Sequence, residues 1–145
     1  MLRLSGEVYH RVVVHALSGL PHEACGMLAS AQGEDLVSRF FPMRNAAESV
    51  KLYRLDDAEY IQVEKTADAE GLALVAVMHS HTQTTAYPSP TDVRDATAFD
   101  PFGALLYVIV SLKDPEPALR CYRIVDSEIV EVPVEVPDFG GTASK

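Results

Sequence analysis

The chain has 145 residues, 48% of them hydrophobic, and a formal net charge of −9 from 12 basic and 21 acidic side chains. A chain of this length can bury about 68 to 70% of its unfolded surface, so its core needs no disulfide bonds. No apolar run approaches the roughly 18 residues of a membrane span, and the N-terminus lacks a signal-peptide core. We therefore expect one cytoplasmic domain with reduced thiols and no membrane or nucleic-acid partner, since an acidic surface repels phosphate.

The first half of the chain predicts two helices and three strands. Apolar residues recur every four positions between residues 6 and 20, as in a helix packed on one side. Two short apolar runs, 25–29 and 36–42, predict a hairpin. A second helical pattern runs from the two aspartates at 56–57 to a glycine at 71. The run LALVAVM follows it, predicts a fully buried strand and ends at His79-Ser80-His81.

The second half predicts one helix and three more strands. Ser89-Pro90-Thr91-Asp92 is typical of a helix start, with a capping residue, a proline in the first turn and an acid three residues on. Strands are predicted at 104–112, 119–125 and 129–136. The sum is a single α/β (α+β) domain over residues 1–136, with about six strands in a mostly antiparallel or mixed sheet and about three helices. Residues 137–145, which include a Gly-Gly pair at 140–141, are predicted to be a flexible tail.

His79 and His81 lie two residues apart at the end of the most buried predicted strand. Side chains at i and i+2 of a strand point to the same side, so both imidazoles can converge on one point. Two neutral imidazoles are half of a zinc site. The alternative is a pair of hydrogen-bonded cleft histidines without a metal.

Asp92 lies eleven residues after His81, in the first turn of the third predicted helix. Its carboxylate completes a His-His-Asp set, which leaves a fourth tetrahedral position open, as a catalytic zinc requires. The alternative interpretation is a capping box between Ser89 and Asp92 without any chemistry. That alternative explains the backbone but not the two histidines.

A hydrolytic zinc site also needs a general base, and Glu23 is the candidate, at the entry to the first apolar strand. An acid in that position can also be a merely solvated or capping residue. Ser89 could donate its hydroxyl to a developing oxyanion. This role is compatible with a helix cap, because the oxygen can accept a hydrogen bond while its proton points outward.

Glu23 followed by His79-Ser80-His81, Ser89 and Asp92 resembles the JAMM signature of the MPN+ zinc metallopeptidases. The resemblance extends from the first helix to about residue 136 and implies the MPN fold, a β-sheet flanked by helices. It implies one zinc ion per chain held by His79, His81 and Asp92, Glu23 as the acid/base, and Ser89 as the oxyanion-stabilising hydroxyl. Members of the family cleave amide bonds that follow the C-terminus of ubiquitin-like proteins.

Within that family, the chain is most similar to small bacterial peptidases that process ubiquitin-like sulfur carrier proteins. The resembling stretches are PHEACGMLA, FPMRNA, YRLD, HSHTQTTAYPSPTDV and LRCYRIVD. Many members have proline after the second histidine; Thr82 in that place points toward the subgroup that releases cysteine from the carrier's C-terminal glycine. We expect the carrier tail to pair with an exposed strand edge near His79, in a slot that admits only glycines.

Other functions are compared with this one, and the oligomeric state stays open. One is an isopeptidase that removes a ubiquitin-like modifier from lysine, and another is a non-catalytic MPN binding module. A cysteine hydrolase built on Cys25 and His22 is disfavoured, because the apolar run around Cys25 predicts a buried thiol. A zinc deaminase is excluded by the lack of a Pro-Cys-x-x-Cys segment. His10 and His15 on the first helix are predicted to be solvated.

Overall fold

The computed structural model describes residues 1–137 and the backbone of residues 141–142. The helices are α1 (Gly6–Ser18), α2 (Asp57–Ala69) and α3 (Pro90–Phe99). The strands are β1 (Leu2–Leu4), β2 (Cys25–Ala31), β3 (Leu36–Met43), β4 (Leu72–His81), β5 (Leu106–Ser111), β6 (Ala118–Val125), β7 (Glu128–Val132), β8 (Val134–Val136) and β9 (Gly141–Thr142). Among the described residues, no helix is both long enough and apolar enough to span a membrane.

All nine strands join one mixed sheet in the order β7-β6-β5-β4-β2-β3-β1-β8-β9. The predicted hairpin is confirmed, since β2 and β3 pair antiparallel. β4 lies in the middle, antiparallel to β2 and parallel to β5. β1 is parallel to both β3 and β8. The predicted mixed α/β class with three helices is therefore confirmed.

The prediction of about six strands was too low. β1 has three residues, too few for a periodic pattern. The single strand predicted at 129–136 is divided at Pro133, which has no N–H to donate, and β8 then crosses to pair with β1 at the other side of the sheet. β9, which pairs with β8, lies inside the stretch that was predicted as a flexible tail. The remainder of that stretch, residues 138–140 and 143–145, lies outside the described residues.

The sheet separates two apolar layers. Helix α1 packs on one face, together with Ala76 and Met78 of β4. Val77 belongs to the other layer, which contains residues of α2 and α3. Because side chains alternate along a strand, His79 and His81 share the face of Val77. The two histidines therefore point toward α2 and α3.

Gly26 allows β2 and β3 to approach closely beside the site. A Cβ atom at this position would lie 2.5 Å from the carbonyl oxygen of Phe41 and 2.7 Å from the ring of Phe40. Any side chain there would push the two strands apart. The glycine therefore allows β3 to pack closely against β2, one residue after Cys25, which pairs with His79.

Candidate metal centre

The structure brings the three predicted ligands together at the end of β4. His79 and His81 are 1% and 2% exposed, and Asp92, in the first turn of α3, is 6% exposed. The two Nε2 atoms are 3.2 Å apart. Oδ2 of Asp92 lies 3.1 Å from Nε2 of His79 and 2.9 Å from Nε2 of His81. Two ring nitrogens and one carboxylate oxygen thus converge on one point, the donor set that a catalytic zinc requires.

Asp92 faces the histidines and caps its helix at the same time. The backbone N–H of Ser89 donates to Oδ2 of Asp92 over 2.9 Å, and the N–H of Asp92 donates to the Ser89 hydroxyl oxygen over 3.0 Å. This is a complete capping box. The two interpretations of Asp92 that the sequence left open are therefore compatible, because one carboxylate serves both contacts.

The hydrogen bonds of His81 show that the cluster suits a cation. Nδ1 of His81 lies 2.8 Å from the carbonyl oxygen of Thr85, which can only accept, so Nδ1 carries the proton. In the neutral ring, Nε2 then has a lone pair directed at Oδ2 of Asp92, which also offers lone pairs. Two electron-rich atoms that face each other are stabilised by a metal ion or by a shared proton.

The pKa values follow from the same contacts. Burial lowers the pKa of His79 and favours the neutral ring that a metal ligand needs. Burial also opposes the charging of His81, but hydrogen bonds to Asp92 and to the Thr85 carbonyl outweigh it and raise the pKa of His81. Burial opposes the charge of Asp92, but its contacts with the His79 and His81 rings outweigh burial and hold the pKa of Asp92 well below the usual range.

Glu23 lies immediately before β2, next to the cluster. Its side chain is buried, and Oε1 has no hydrogen-bond partner in the described part of the chain. Burial raises the pKa of Glu23 to about 8, and its charge interacts with those of His81 and Asp92. A buried carboxyl with a raised pKa can both accept and deliver a proton near neutral pH.

Three further residues support the site, and no periodic pattern pointed to them. The ring of Tyr53 stacks on His79 with 4.2 Å between centroids and 17° between planes. The Ser80 hydroxyl accepts the N–H of Ala24 over 2.8 Å and joins the end of β4 to the residue after Glu23. Asn45 binds the carbonyl of Glu23. Tyr53 and Asn45 fall in YRLD and FPMRNA, two of the resembling stretches, but the sequence alone suggested no role for them.

A cavity of about 620 Å³ lies beside the metal centre, between α2 and α3. Tyr53 is part of its wall, and Val77 and Tyr107 of the sheet contribute to its lining. The hydroxyl of Tyr107 is buried and has no partner among the described residues. Most of the lining is apolar or aromatic, and Arg54, Asp57 and Asp95 are among its polar residues, so the cavity can hold apolar side chains and offers several hydrogen-bonding groups.

The other predicted candidates lie outside this cluster. Cys25 and Cys121 are fully buried and free, and burial raises the pKa of each thiol to about 12, which leaves almost no thiolate for nucleophilic attack. His10 is exposed, as predicted. The prediction for His15 was wrong: it is half-buried, its Nε2 lies 2.9 Å from the carbonyl oxygen of Cys25, and its ring contacts Phe40 edge-on.

Comparison with known proteins gives consistent results. Residues 5–125 match the family model described as prokaryotic homologs of the JAB domain. The CysO-cysteine peptidase of Mycobacterium tuberculosis is 42% identical over 94% of this chain and 91% of its own. The probable TtuB-protein conjugate cleaving protease of Thermus thermophilus is 35% identical over 57% of this chain and 54% of its own.

Two solved structures share the fold. A protein of Desulfitobacterium hafniense superposes with a TM-score of 0.84 at 31% identity and covers 94% of this chain and 92% of its own. A JAB1/MPN domain protein of Archaeoglobus fulgidus, 18% identical, has a TM-score of 0.58 and covers 94% and 96%. The family match and the 42% identity lead to one conclusion: the chain belongs to the prokaryotic homologs of the JAB domain.

Proposed function

We propose that this protein is a zinc-dependent peptidase that hydrolyses the amide bond after the C-terminal Gly-Gly of a ubiquitin-like sulfur carrier protein. The leaving group is cysteine or a short C-terminal peptide. The observation that carries the proposal is the convergence of His79, His81 and Asp92 beside the buried, unpartnered carboxyl oxygen of Glu23. The relative from Mycobacterium tuberculosis is named CysO-cysteine peptidase, and this name supports cysteine as the leading candidate for the leaving group.

Each side chain of the site has a distinct task in this reaction. Nε2 of His79, Nε2 of His81 and Oδ2 of Asp92 would hold the zinc ion. Zinc in this position supplies Lewis acidity, which activates water and polarises the scissile carbonyl. Glu23 accepts a proton from the attacking water and then delivers it to the leaving amine. The raised pKa of Glu23 suits both steps, because the carboxyl neither holds nor releases the proton too strongly near neutral pH.

In our proposal, Ser89 stabilises the negative charge that develops on the carbonyl oxygen. Its oxygen accepts from the N–H of Asp92, so the hydroxyl proton is free to donate toward the metal centre. The Ser89→Ala variant is expected to retain zinc and to turn over up to about 10²- to 10³-fold more slowly, the usual loss for an oxyanion donor.

The cap contributed by Ser89 needs its own control. Ser5→Ala removes an equivalent cap, since the Ser5 hydroxyl accepts the N–H of Val8 at the start of α1, away from the metal centre. Both variants should lose about 1 kcal/mol of folding stability. Only the Ser89 variant should lose kcat. Equal rates in the Ser5 and Ser89 variants would remove Ser89 from the mechanism.

The pairing of the carrier tail with an exposed strand edge near His79 stays a prediction, but β4 itself does not supply that edge. β2 pairs with β4 up to Cys25 opposite His79, and β5 pairs along the other side up to Ser111 opposite His81. Neither edge of β4 is free to accept another strand. In our proposal the tail is held by the segment 45–54, which contains Tyr53, and by α3. The carrier's side chains upstream of its Gly-Gly then lie in the adjacent cavity.

The test uses a sulfur carrier extended to end in Gly-Gly-Cys. Incubation with the protein should reduce the carrier's mass by one cysteine. A Gly→Ala change at the last glycine should slow release strongly, because a methyl group would keep the scissile carbonyl from the metal centre. Equal rates for the glycine and alanine substrates would refute a glycine-only slot.

The second candidate is cleavage of a lysine-linked conjugate. The Thermus thermophilus relative favours it, since its name describes cleavage of a protein conjugate. A carrier joined to a lysine side chain serves as the parallel substrate. Release from this conjugate without release from carrier-Gly-Gly-Cys would replace our proposal by the isopeptidase. Release from neither substrate, by zinc-loaded protein, would indicate a non-catalytic module.

A further inference from the structure

Asn45, two residues after the end of β3, uses every hydrogen-bonding position of its side chain. It is buried. Its NH₂ group donates to the carbonyl oxygens of Glu23 and Leu52, both over 3.0 Å. Its Oδ1 accepts the N–H groups of Ala47 over 2.9 Å and Arg54 over 3.0 Å. An amide side chain has two donor hydrogens and two acceptor lone pairs, so Asn45 is fully satisfied.

The segment 45–54 holds Glu23 by both of its backbone groups. The carbonyl of Glu23 accepts from Asn45, and its N–H donates to the carbonyl of Ser49 over 2.7 Å. The pairing of β2 with β4 begins only at Cys25. The sheet therefore does not fix the backbone of Glu23 directly, and this segment does.

The same segment carries the ring that covers His79. Arg54, bound to Oδ1 of Asn45, follows Tyr53, and the N–H of Ala46 donates to the Arg54 carbonyl over 2.8 Å. Leu52, bound to the Asn45 amide, precedes Tyr53. Asn45 thus holds the residues on both sides of Tyr53, whose ring stacks on the imidazole of His79. The buried Asn45 amide thus connects Glu23, the candidate base, with Tyr53, whose ring covers the candidate ligand His79.

We propose that Asn45 is a positioning residue, which sets the Glu23 carboxyl and the Tyr53 ring relative to the metal centre. This inference rests on the proposed function, since it assigns Asn45 a part in the same reaction. Asparagine is the only standard side chain of this length with two donors and two acceptors. Aspartate has the same shape but would direct an oxygen at the carbonyls of Glu23 and Leu52.

The decisive variant is Asn45→Asp, because it keeps the acceptor for Ala47 and Arg54 and replaces the donor by a second oxygen, which repels the carbonyls of Glu23 and Leu52. We expect zinc content to stay at the wild-type level. On carrier-Gly-Gly-Cys, kcat should fall by about 10- to 100-fold, since a misplacement of about 1 Å can cost 10²-fold. KM should rise as well, because the segment that carries Tyr53 also holds the carrier tail in our proposal.

A matched control separates positioning from general loosening. Asp100 is as buried as Asn45, and its carboxylate accepts two backbone N–H groups, those of Ala104 and Leu105. Asp100→Ala should lower the unfolding temperature at least as much as Asn45→Asp does. Its kcat, measured well below unfolding, should remain near wild type. An equal loss of kcat in both variants would reduce Asn45 to a structural role and overturn the inference.

A double-mutant cycle with Glu23→Gln tests whether Asn45 acts through Glu23. If it does, Asn45→Asp should slow the wild type but have little further effect on the Glu23→Gln protein. Fully additive losses would contradict the proposed route. A wild-type protein that cleaves neither carrier substrate would instead refute the proposed function. The role of Asn45 can then still be tested by a measurement that does not depend on activity.

That measurement is the NMR signal of the His79 ring, which needs no substrate. A ring stacked on an aromatic face has its protons shifted upfield, and Tyr53→Leu identifies the His79 signal by removing the shift. In Asn45→Asp the His79 protons should move toward the Tyr53→Leu position. Unchanged His79 signals in Asn45→Asp would show that Asn45 does not hold Tyr53, and would overturn the inference whatever the activity.

Discussion

The variant His79→Ala/His81→Ala is expected to bind no zinc and to lose hydrolysis. The wild-type protein, purified without chelator, should contain one zinc ion per chain. The two imidazoles supply two of the three ligand atoms, and one carboxylate cannot retain zinc on its own. Metal analysis of wild type and variant decides the result. Added zinc should also raise the unfolding temperature of the metal-free wild type, because a ligand that binds only the folded state stabilises it.

Zinc can also bind adventitiously to surface histidines, so the control is His10→Ala. His10 is exposed and lies on α1, outside the cluster. This variant should match the wild type in zinc content and in the response of its unfolding temperature to zinc. Equal zinc content in the double variant and the wild type would show that the ligand assignment is wrong.

Glu23→Gln is expected to retain zinc and to lower kcat by at least about 10²-fold, the lower end of a general acid/base contribution. Glutamine has nearly the size of the buried carboxyl but cannot accept and deliver the proton. The hydrogen bonds of Glu23 to Asn45 and Ser49 use only the backbone of Glu23, so the fold should be unaffected. The measurement is single-turnover cleavage of carrier-Gly-Gly-Cys, with zinc content determined on the same sample.

Glu34→Gln, at an exposed acid in the turn after β2, removes one negative charge without touching the site. It should cleave at the wild-type rate. A Glu23→Gln protein that is zinc-loaded and as fast as this control would remove Glu23 as the base, and with it the mechanism. A slow Glu23→Gln protein that has also lost zinc would indicate a role in metal retention instead.

Local rules were enough to predict most of the metal centre. His79 and His81 share a face because a strand has a period of two, and Asp92 is fixed by a capping box that can be read from four residues. The layout of the sheet was less accessible. The pairing of β1 with β8 joins the two ends of the chain, and no local pattern reports such a contact.

The residues around the metal ligands were harder to predict for the same reason. Glu23 approaches the histidines because Cys25 pairs with His79, a register between segments more than 50 residues apart in the sequence. Its residue type suggested a base, but only the family resemblance assigned the role. The sequence also does not reveal which strands flank a buried one, here β2 and β5 on the two sides of β4. Tyr53 and Asn45 act through a loop whose shape no periodicity encodes.

If the leaving group is cysteine, as we propose, the burial of both cysteines has a chemical consequence. Cystine, the oxidised form of that product, would exchange with any accessible thiolate, leave a mixed disulfide on the protein and release one cysteine. Cys25 follows Glu23 by two residues, yet it is packed in an apolar layer, its sulfur lies against the carbonyls of Met43 and Arg44, and burial keeps it protonated. Cys121 is equally enclosed. On the proposed function, the protein is thereby chemically insulated from the oxidised form of its own product.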